Sequence, residues 1–335
     1  MNNYNLVIDV GSSNCCLYKM GLGLVLKEPT VIAQAEIVGK MQTIAVGNEA
    51  NKLIEKNEDV KIIEPISHSV IKDREIMQNL LESFLNKIGD RKLLNRNKLI
   101  YIVPSSLSEN ERNKCRNLAY SLNVYKTTLV PSAVLAYICS SVNDSIKTKL
   151  IIDIGGGTTD IALVFNMKVL ASITLGIGGK DLDSEIADYL LHQYNLVVNA
   201  VELENIKKEI GTLLPNDIIS YELVGFDFFS GIQKTVKLTS TEILPIVEKF
   251  FGQIYEVAEK LKSSCKGEAK TNLKMGGVFV CGGVANITGI ERFFKSRLDL
   301  KVVVPANPEN AIMKGADILL NSSALMDRIC EEVWK

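Results

Sequence analysis

Two short stretches of this chain carry residue types that can hold a polyphosphate. The first runs Asp9-Val10-Gly11-Ser12-Ser13-Asn14, and the second Asp153-Ile154-Gly155-Gly156-Gly157-Thr158-Thr159-Asp160. Each follows an apolar run that reads as a short buried strand, Leu6 to Ile8 and Leu150 to Ile152, and each leads into a returning strand. Consecutive glycines let backbone N–H groups approach an anion with no Cβ in the way. Ser12, Ser13, Asn14, Thr158 and Thr159 add side-chain donors. Asp9 and Asp153 end the first strands, and paired carboxylates suit Mg²⁺, which keeps most of its waters and takes few direct protein ligands. The expected contacts to that ion run through water. Sliding the sequence by 144 residues puts Asp9 on Asp153 and Gly11 on Gly155. A repeat at that spacing is far too long for a solenoid. It predicts two related domains, each opening with an Asp-Gly hairpin, that grip one nucleotide from opposite sides. No Gly-Lys-Ser/Thr follows either loop, and Gly155 starts a hairpin rather than a helix, so neither a Walker A loop nor a dinucleotide fingerprint is present.

Further candidates lie downstream. Cys281-Gly282-Gly283-Val284-Ala285-Asn286 follows a strand and reads as the opening of a helix, where small residues let a flat base or ribose pack closely. In Lys207-Lys208-Glu209-Ile210-Gly211, Glu209 is placed to accept from ribose hydroxyls. Asp181 and Asp183 follow the turn Gly178-Gly179 and read as a helix start. The two histidines, His68 and His192, lie far apart without metal-ligand partners. The seven cysteines are odd in number and scattered, which fits buried reduced thiols in a cytoplasmic protein.

The elements that must position these residues alternate. Strands are expected at Val31 to Ala35 and Met41 to Val46, within a small subdomain, and at Leu99 to Val103 and Val278 to Cys281. Helices are expected at Arg74 to Lys87, Asp181 to Tyr194 and Thr241 to Lys262, with another inside Asn286 to Ser296. Ser108 to Leu122 is a further helix, with Ser108 as N-cap and Glu111 as its capping-box partner. Strands alternating with helices imply an α/β architecture. The 335 residues, 47% hydrophobic and 23% charged, suffice for a large core and about two domains. With 38 basic and 39 acidic residues the surface gives no basis for nucleic acid as a partner. MNNYNLVIDV lacks the pattern of a signal peptide, and no apolar run is long enough to span a bilayer.

Together these residues resemble the actin, DnaK-type chaperone and sugar-kinase superfamily, and the chain is most similar, nearly end to end, to MreB-type bacterial actins. The stretches that carry the resemblance are IDVGSSN (8–14), GLGLVLKEPTVIA (21–33), VPSSLSENER (103–112), IDIGGGTTDIALV (152–164), LGIGGKDLDSEI (175–186), IKKEIG (206–211), SGIQKTVKLTSTEI (230–243), VCGGVANITGIERF (280–293) and NPENAIMKGA (307–316). The resemblance implies an actin-like fold: two related α/β domains, each with a smaller subdomain, around a cleft that holds ATP with Mg²⁺. The expected first domain is 1–140 with 308–335, including a small subdomain at 31–66. The second is 141–307, including one at about 178–243. By the family's pattern Gly11, Ser12, Ser13, Asn14, Gly155, Gly156, Gly157 and Thr158 hold phosphates. Lys208, Glu209, Gly282, Gly283, Val284 and Ala285 hold ribose and base, and Gly179 lies near the cleft. The metal falls to Asp9 and Asp153.

The family usually carries Glu-Pro before the helix that precedes the second hairpin, and that glutamate positions the attacking water. Here Val130 precedes Pro131, with Ser132 as the nearest polar alternative. A valine neither accepts a proton nor orients water, so slow ATP turnover is expected, with Thr158 and Asp160 left for any hydrolytic role. The resemblance further implies polymerisation of the chain with itself into filaments that serve cell shape, wall organisation or motility, with other cytoskeletal or wall-synthesis proteins as partners. The expected place is the cytoplasm, including the inner face of the membrane. Leu93 and Leu94, among Arg91, Lys92, Arg96 and Lys98, are the residues that would dip into an anionic lipid surface. A non-polymerising chaperone or reactivase and, further off, a small-molecule kinase are the other functions this fold hosts. No kinase-type aspartate stands out beyond the hairpins, and no substrate-binding domain follows the nucleotide fold.

Overall fold

The computed structural model describes residues 5–53, 59–68, 70–89, 98–141 and 147–332. Leu93 and Leu94 lie outside them. The first half builds β1 (Leu6–Val10), β2 (Asn14–Lys19), β3 (Gly23–Pro29), β4 (Ile32–Ile37), β5 (Lys40–Val46), α1 (Asn48–Asn51), β6 (Lys61–Ile63), β7 (Ile66–Ser67) and β8 (Val70–Ile71). It continues with α2 (Arg74–Lys87), β9 (Lys98–Val103), α3 (Glu109–Ser121), β10 (Lys126–Pro131) and α4 (Ser132–Ser140). Then come β11 (Thr148–Ile154), β12 (Thr159–Phe165), β13 (Lys168–Leu175), α5 (Gly179–Tyr194), β14 (Leu196–Val197), α6 (Ala200–Ile210), β15 (Ser220–Asp227) and β16 (Gln233–Thr239). The last elements are α7 (Ser240–Ser264), α8 (Gly267–Gly276), β17 (Val278–Cys281), α9 (Ile290–Leu298), β18 (Val302–Val303), α10 (Ala311–Leu320) and α11 (Ser323–Glu332).

The repeat seen in sequence is a repeat in topology. One five-stranded sheet has the order β10-β9-β1-β2-β3, and the other β18-β17-β11-β12-β13 when read from the same side. In each, a hairpin follows the first strand, and that strand pairs parallel to the strand on its other flank. The registers agree too. Asp9 stands opposite Cys16, and Asp153 opposite Asp160, the positions that the 144-residue offset equates. Three smaller sheets, β5-β4-β6, β14-β15-β16 and the two-stranded β7-β8, are separate from the main ones among the described residues.

Alternation along the strands sends successive side chains to opposite faces. Leu6 and Ile8 join a core with α2 and α3, whereas Val7 joins a different one. Leu150, Ile152 and Ile154 pack with α5, α6, α7 and α9, while Ile151 faces the other way. The central strands of both sheets are therefore buried on both faces, which is why β9, β11 and β12 read as nearly continuous apolar runs. The shared inner core holds Val7, Ile102 and Val130 from one sheet and Ile151, Ala162 and Phe279 from the other. Between the sheets lie α4 and α10, which cross at backbone contact: a Cβ on Gly315 would sit 2.0 Å from the carbonyl oxygen of Leu135.

The expected capping box forms, with Glu111 N–H donating to Ser108 Oγ and Ser108 N–H to the Glu111 carboxylate. Two expectations shift. Helix α5 starts at Gly179 rather than Asp181. The segment after β17 makes one 3₁₀ turn over Gly283–Asn286, and α9 begins only at Ile290. Gly282 (φ 90°) and Gly289 (φ 86°) bracket that turn in conformations open chiefly to glycine and end the helical path.

Candidate functional site

The two hairpin loops are built alike and meet face to face. Gly11 N–H donates to Asn14 O at 3.0 Å, and Gly155 N–H to Thr158 O at 2.9 Å. A Cβ on Gly156 would lie 1.9 Å from Ser13 Oγ, and one on Gly157 2.7 Å from Ser12 Cβ. Only glycine lets the second loop come this close to the serines of the first. Thr30 braces the first loop, its hydroxyl donating to Gly11 O at 2.7 Å and its N–H to Ser13 O at 3.0 Å. The start of α5 braces the second. Gly179 N–H and Lys180 N–H donate to Gly155 O and Gly156 O at 2.9 and 2.8 Å. A Cβ on Gly178 would strike Gly156 C and Gly157 N at 2.7 Å.

Asp9 and Asp153 sit at the roots of the two loops. Burial raises the Asp9 carboxyl to about 6. Burial, followed by the charges of Asp160 and Asp9, raises Asp153 to about 7, opposed by the Cys281 thiol, whose sulfur lies 3.8 Å from Asp153 Oδ1. The Asp153 carboxyl thus senses the charge of Asp9, and a cation beside both would favour their ionised forms. Among the described residues no group of three or more His, Cys, Asp or Glu forms a metal cage. A donor set of two carboxylates fits an ion that keeps its waters, such as Mg²⁺.

Asp160 is saturated. Its Oδ2 accepts from Ser105 N–H at 3.0 Å, Ser105 Oγ at 2.5 Å and Ser132 Oγ at 3.0 Å, and its Oδ1 from Thr174 Oγ1 at 2.8 Å. Ser172 Oγ returns to Ser105 O at 3.0 Å. The carboxylate therefore ties the segment after β9 and the first turn of α4 to β12 and β13. Thr158 is half-buried in the loop. Val130, at the end of β10, is fully buried in the inner core beside Ala133 and Ile102.

At the far end of the site a Cβ on Gly282 would lie 2.3 Å from Ile154 O and 2.7 Å from Asp153 Oδ1, so this glycine seats the 3₁₀ turn against the root of the second hairpin. Gly283 is exposed, and Val284 and Ala285 are buried. Val284 Cγ2 lies 3.0 Å from where Gly179 would carry a Cβ. Lys208 and Glu209 are exposed on α6, and Lys208 pairs with Glu204 at 3.3 Å. The neighbour that reaches Gly179 is Lys207, which is buried and donates to Gly179 O at 3.3 Å, Asp183 Oδ2 at 2.9 Å and Glu204 Oε2 at 2.8 Å. Burial raises the Asp183 carboxyl despite the Lys207 charge, and its Oδ1 is a buried acceptor without a partner. Sequence reasoning gives Lys207 no role and reads Asp183 only as part of a helix start. The available signal was a lysine on the apolar stripe Leu203, Lys207, Ile210 of α6. Asp181 lies in the first turn of α5, its carboxylate accepting from Gly178 N–H at 2.8 Å.

Known proteins resemble this chain over nearly its whole length. A family model described as MreB/Mbl protein matches residues 3–328. The cell shape-determining protein Mbl of Bacillus subtilis (strain 168) is 26% identical over 327 residues, covering 96% of this chain and 96% of that protein. The cell shape-determining protein MreB of Escherichia coli (strain K12) is 26% identical over 321 residues, covering 94% and 92%. Crystal structures of MreB5 of Spiroplasma citri superpose with TM-scores of 0.87 when bound to ADP and 0.88 when bound to AMPPNP, each at 26% identity. The ADP form covers 97% of this chain and 98% of that one, and the AMPPNP form 99% of both.

Proposed function

For a chain that belongs to the MreB/Mbl family, we propose that ATP with Mg²⁺ is held between the two hairpins and that the loaded form assembles head to tail into filaments. The fold is actin-like, and the curated relatives are named for determining cell shape. The observation that carries the reading is the meeting of the loops, Gly156 and Gly157 against Ser13 and Ser12, with Asp9 and Asp153 beneath them. Relatives of the same fold bind ADP and AMPPNP.

In this reading Gly11, Ser12, Ser13, Asn14 and Gly155 to Thr158 hold the phosphates, and Asp9 and Asp153 hold the metal through water. Gly282 to Ala285 pack the base, with Gly179, Lys208 and Glu209 toward the ribose. Mg²⁺ supplies charge neutralisation at the phosphates. The moving halves are 1–140 with 308–335, and 141–307. Hydrolysis is slow, because Val130 offers no acceptor and Asp160 is committed to four donors. The protein works in the cytoplasm and touches the inner membrane face through Leu93 and Leu94, where wall-synthesis partners also act. Among the described residues no helix is long and apolar enough to cross a membrane.

Negative-stain microscopy and pelleting test the reading: filaments form with ATP and with a non-hydrolysable analogue, and phosphate release lags behind assembly. A melting temperature indifferent to titrated ATP removes it. Binding without assembly favours a non-polymerising actin-fold protein instead. Liposome sedimentation of wild type beside Leu93→Asp/Leu94→Asp tests the membrane contact, which equal pelleting ends.

A further inference from the structure

The two loops carry no cationic side chain, and both carboxylates below them are negative when a metal is bound. A triphosphate placed there brings more negative charge than one Mg²⁺ offsets. Helix N-termini often supply the balance through free amides. Those of α5 are already used: Gly178 N–H donates to Asp181 Oδ2, Gly179 N–H to Gly155 O and Lys180 N–H to Gly156 O. The charge at this end of the cleft comes from a side chain instead. Lys180 Nζ donates to Ser12 O, in the first loop, at 3.0 Å and to Glu64 Oε1 at 2.7 Å. Glu64 lies between β6 and β7, on the opposite rim. Beside it His68 Nε2 stands 3.6 Å from Asp181 Oδ1, and a Cβ on Gly157 would lie 3.6 Å from His68 N. The β6–β7–β8 segment thus overhangs the second loop and parks Lys180 at the seam between the loops.

We infer that Lys180 is a phosphate-binding residue held in reserve by Glu64: its ammonium exchanges the Glu64 carboxylate for phosphate oxygens when a triphosphate enters. The inference rests on the nucleotide reading above. The exchange runs downhill. Both partners of the Lys180–Glu64 pair are about 40% exposed, at 40% and 43%, and pairs of that kind contribute little. A charge-assisted contact to a phosphate inside the cleft is stronger. Lys180 already sits on the backbone of a proposed phosphate loop, so the ammonium need not travel far.

The test is equilibrium binding of ATP, ADP and adenosine, at fixed Mg²⁺, to wild type, Lys180→Met and Glu64→Gln. Lys180→Met is expected to weaken ATP about tenfold, ADP less, and adenosine not at all. Glu64→Gln is expected to tighten ATP about threefold, because Lys180 loses its competitor. Two results overturn the inference. One is Lys180→Met weakening ATP and adenosine alike, which marks a structural role. The other is Glu64→Gln weakening ATP, which marks the pair as a strap rather than a reserve. If wild type binds none of the three ligands, the nucleotide reading itself falls. If wild type and Lys180→Met bind ATP equally, only the role of Lys180 falls.

Discussion

Asp153 and Asp9 hold their protons more tightly in the fold than in the unfolded chain, with carboxyls at about 7 and about 6 against an ordinary 3.8. The folded state therefore binds more protons than the unfolded one between these values, and its stability falls as pH rises through that window. In nucleotide-free and metal-free buffer, the melting temperature of wild type should drop relative to Asp153→Asn as pH goes from about 5 to about 8. Mg²⁺ with ATP should reverse the trend, since a cation favours the ionised carboxyls, and binding should release protons near neutral pH. Parallel melting curves for wild type and variant across that range would mean that Asp153 titrates normally. The two loops were legible in the sequence because glycine runs and strand-end aspartates are local signals. Lys207, Asp183, Lys180 and Glu64 were not. Their contacts join residues 28 positions apart for Lys207 and Gly179, and 116 apart for Lys180 and Glu64, so the local pattern, beyond the lysine on the apolar stripe of α6, does not announce them.

Elements were legible wherever caps and periodicity agreed. The Ser108–Glu111 box at α3 is the clearest instance, and Ser108→Ala should cost about 1 kcal/mol in denaturant unfolding, with Ser108→Asp restoring most of it. Legibility ended where a turn depends on a distant backbone. The helix expected to open at Gly282 does not, because that residue is left-handed and donates its N–H to Pro308 O at 3.0 Å. The earlier start of α5 has the same origin, since its first amides bond to the carbonyls of the second hairpin. Gly282→Ala must displace the end of β11 or the Asp153 side chain. It should cost more than about 2 kcal/mol and lower ATP affinity, measured by chemical unfolding and titration calorimetry. A variant as stable as wild type would mean that the turn relaxes freely.

At the scale of the molecule, the repeat foretold two like halves but not how they are joined. Two devices join them. One is the inner core, where α4 and α10 of the first half, crossing at Gly315 and Leu135 O, pack against Ile151, Ala162 and Phe279 of the second. The other is Asp160, whose carboxylate gathers Ser105 and Ser132 of the first half and Thr174 of the second. The first is apolar; the second is polar and follows the second hairpin loop directly in the chain. Removing the second should let the halves swing about the first. In Asp160→Ala, three donors from Ser105 and Ser132 lose their acceptor, at a cost on the order of 3 kcal/mol. The radius of gyration from X-ray scattering should rise, and amide exchange should quicken at Ser105 and along 172–174. Exchange in α4 and α10 should stay slow, because their buried contact is untouched. Asp160→Asn keeps one acceptor oxygen and should fall between. If instead scattering and exchange match wild type while phosphate release alone drops, Asp160 acts on the reaction rather than on the joint, and the halves are held together by α4 and α10 without it.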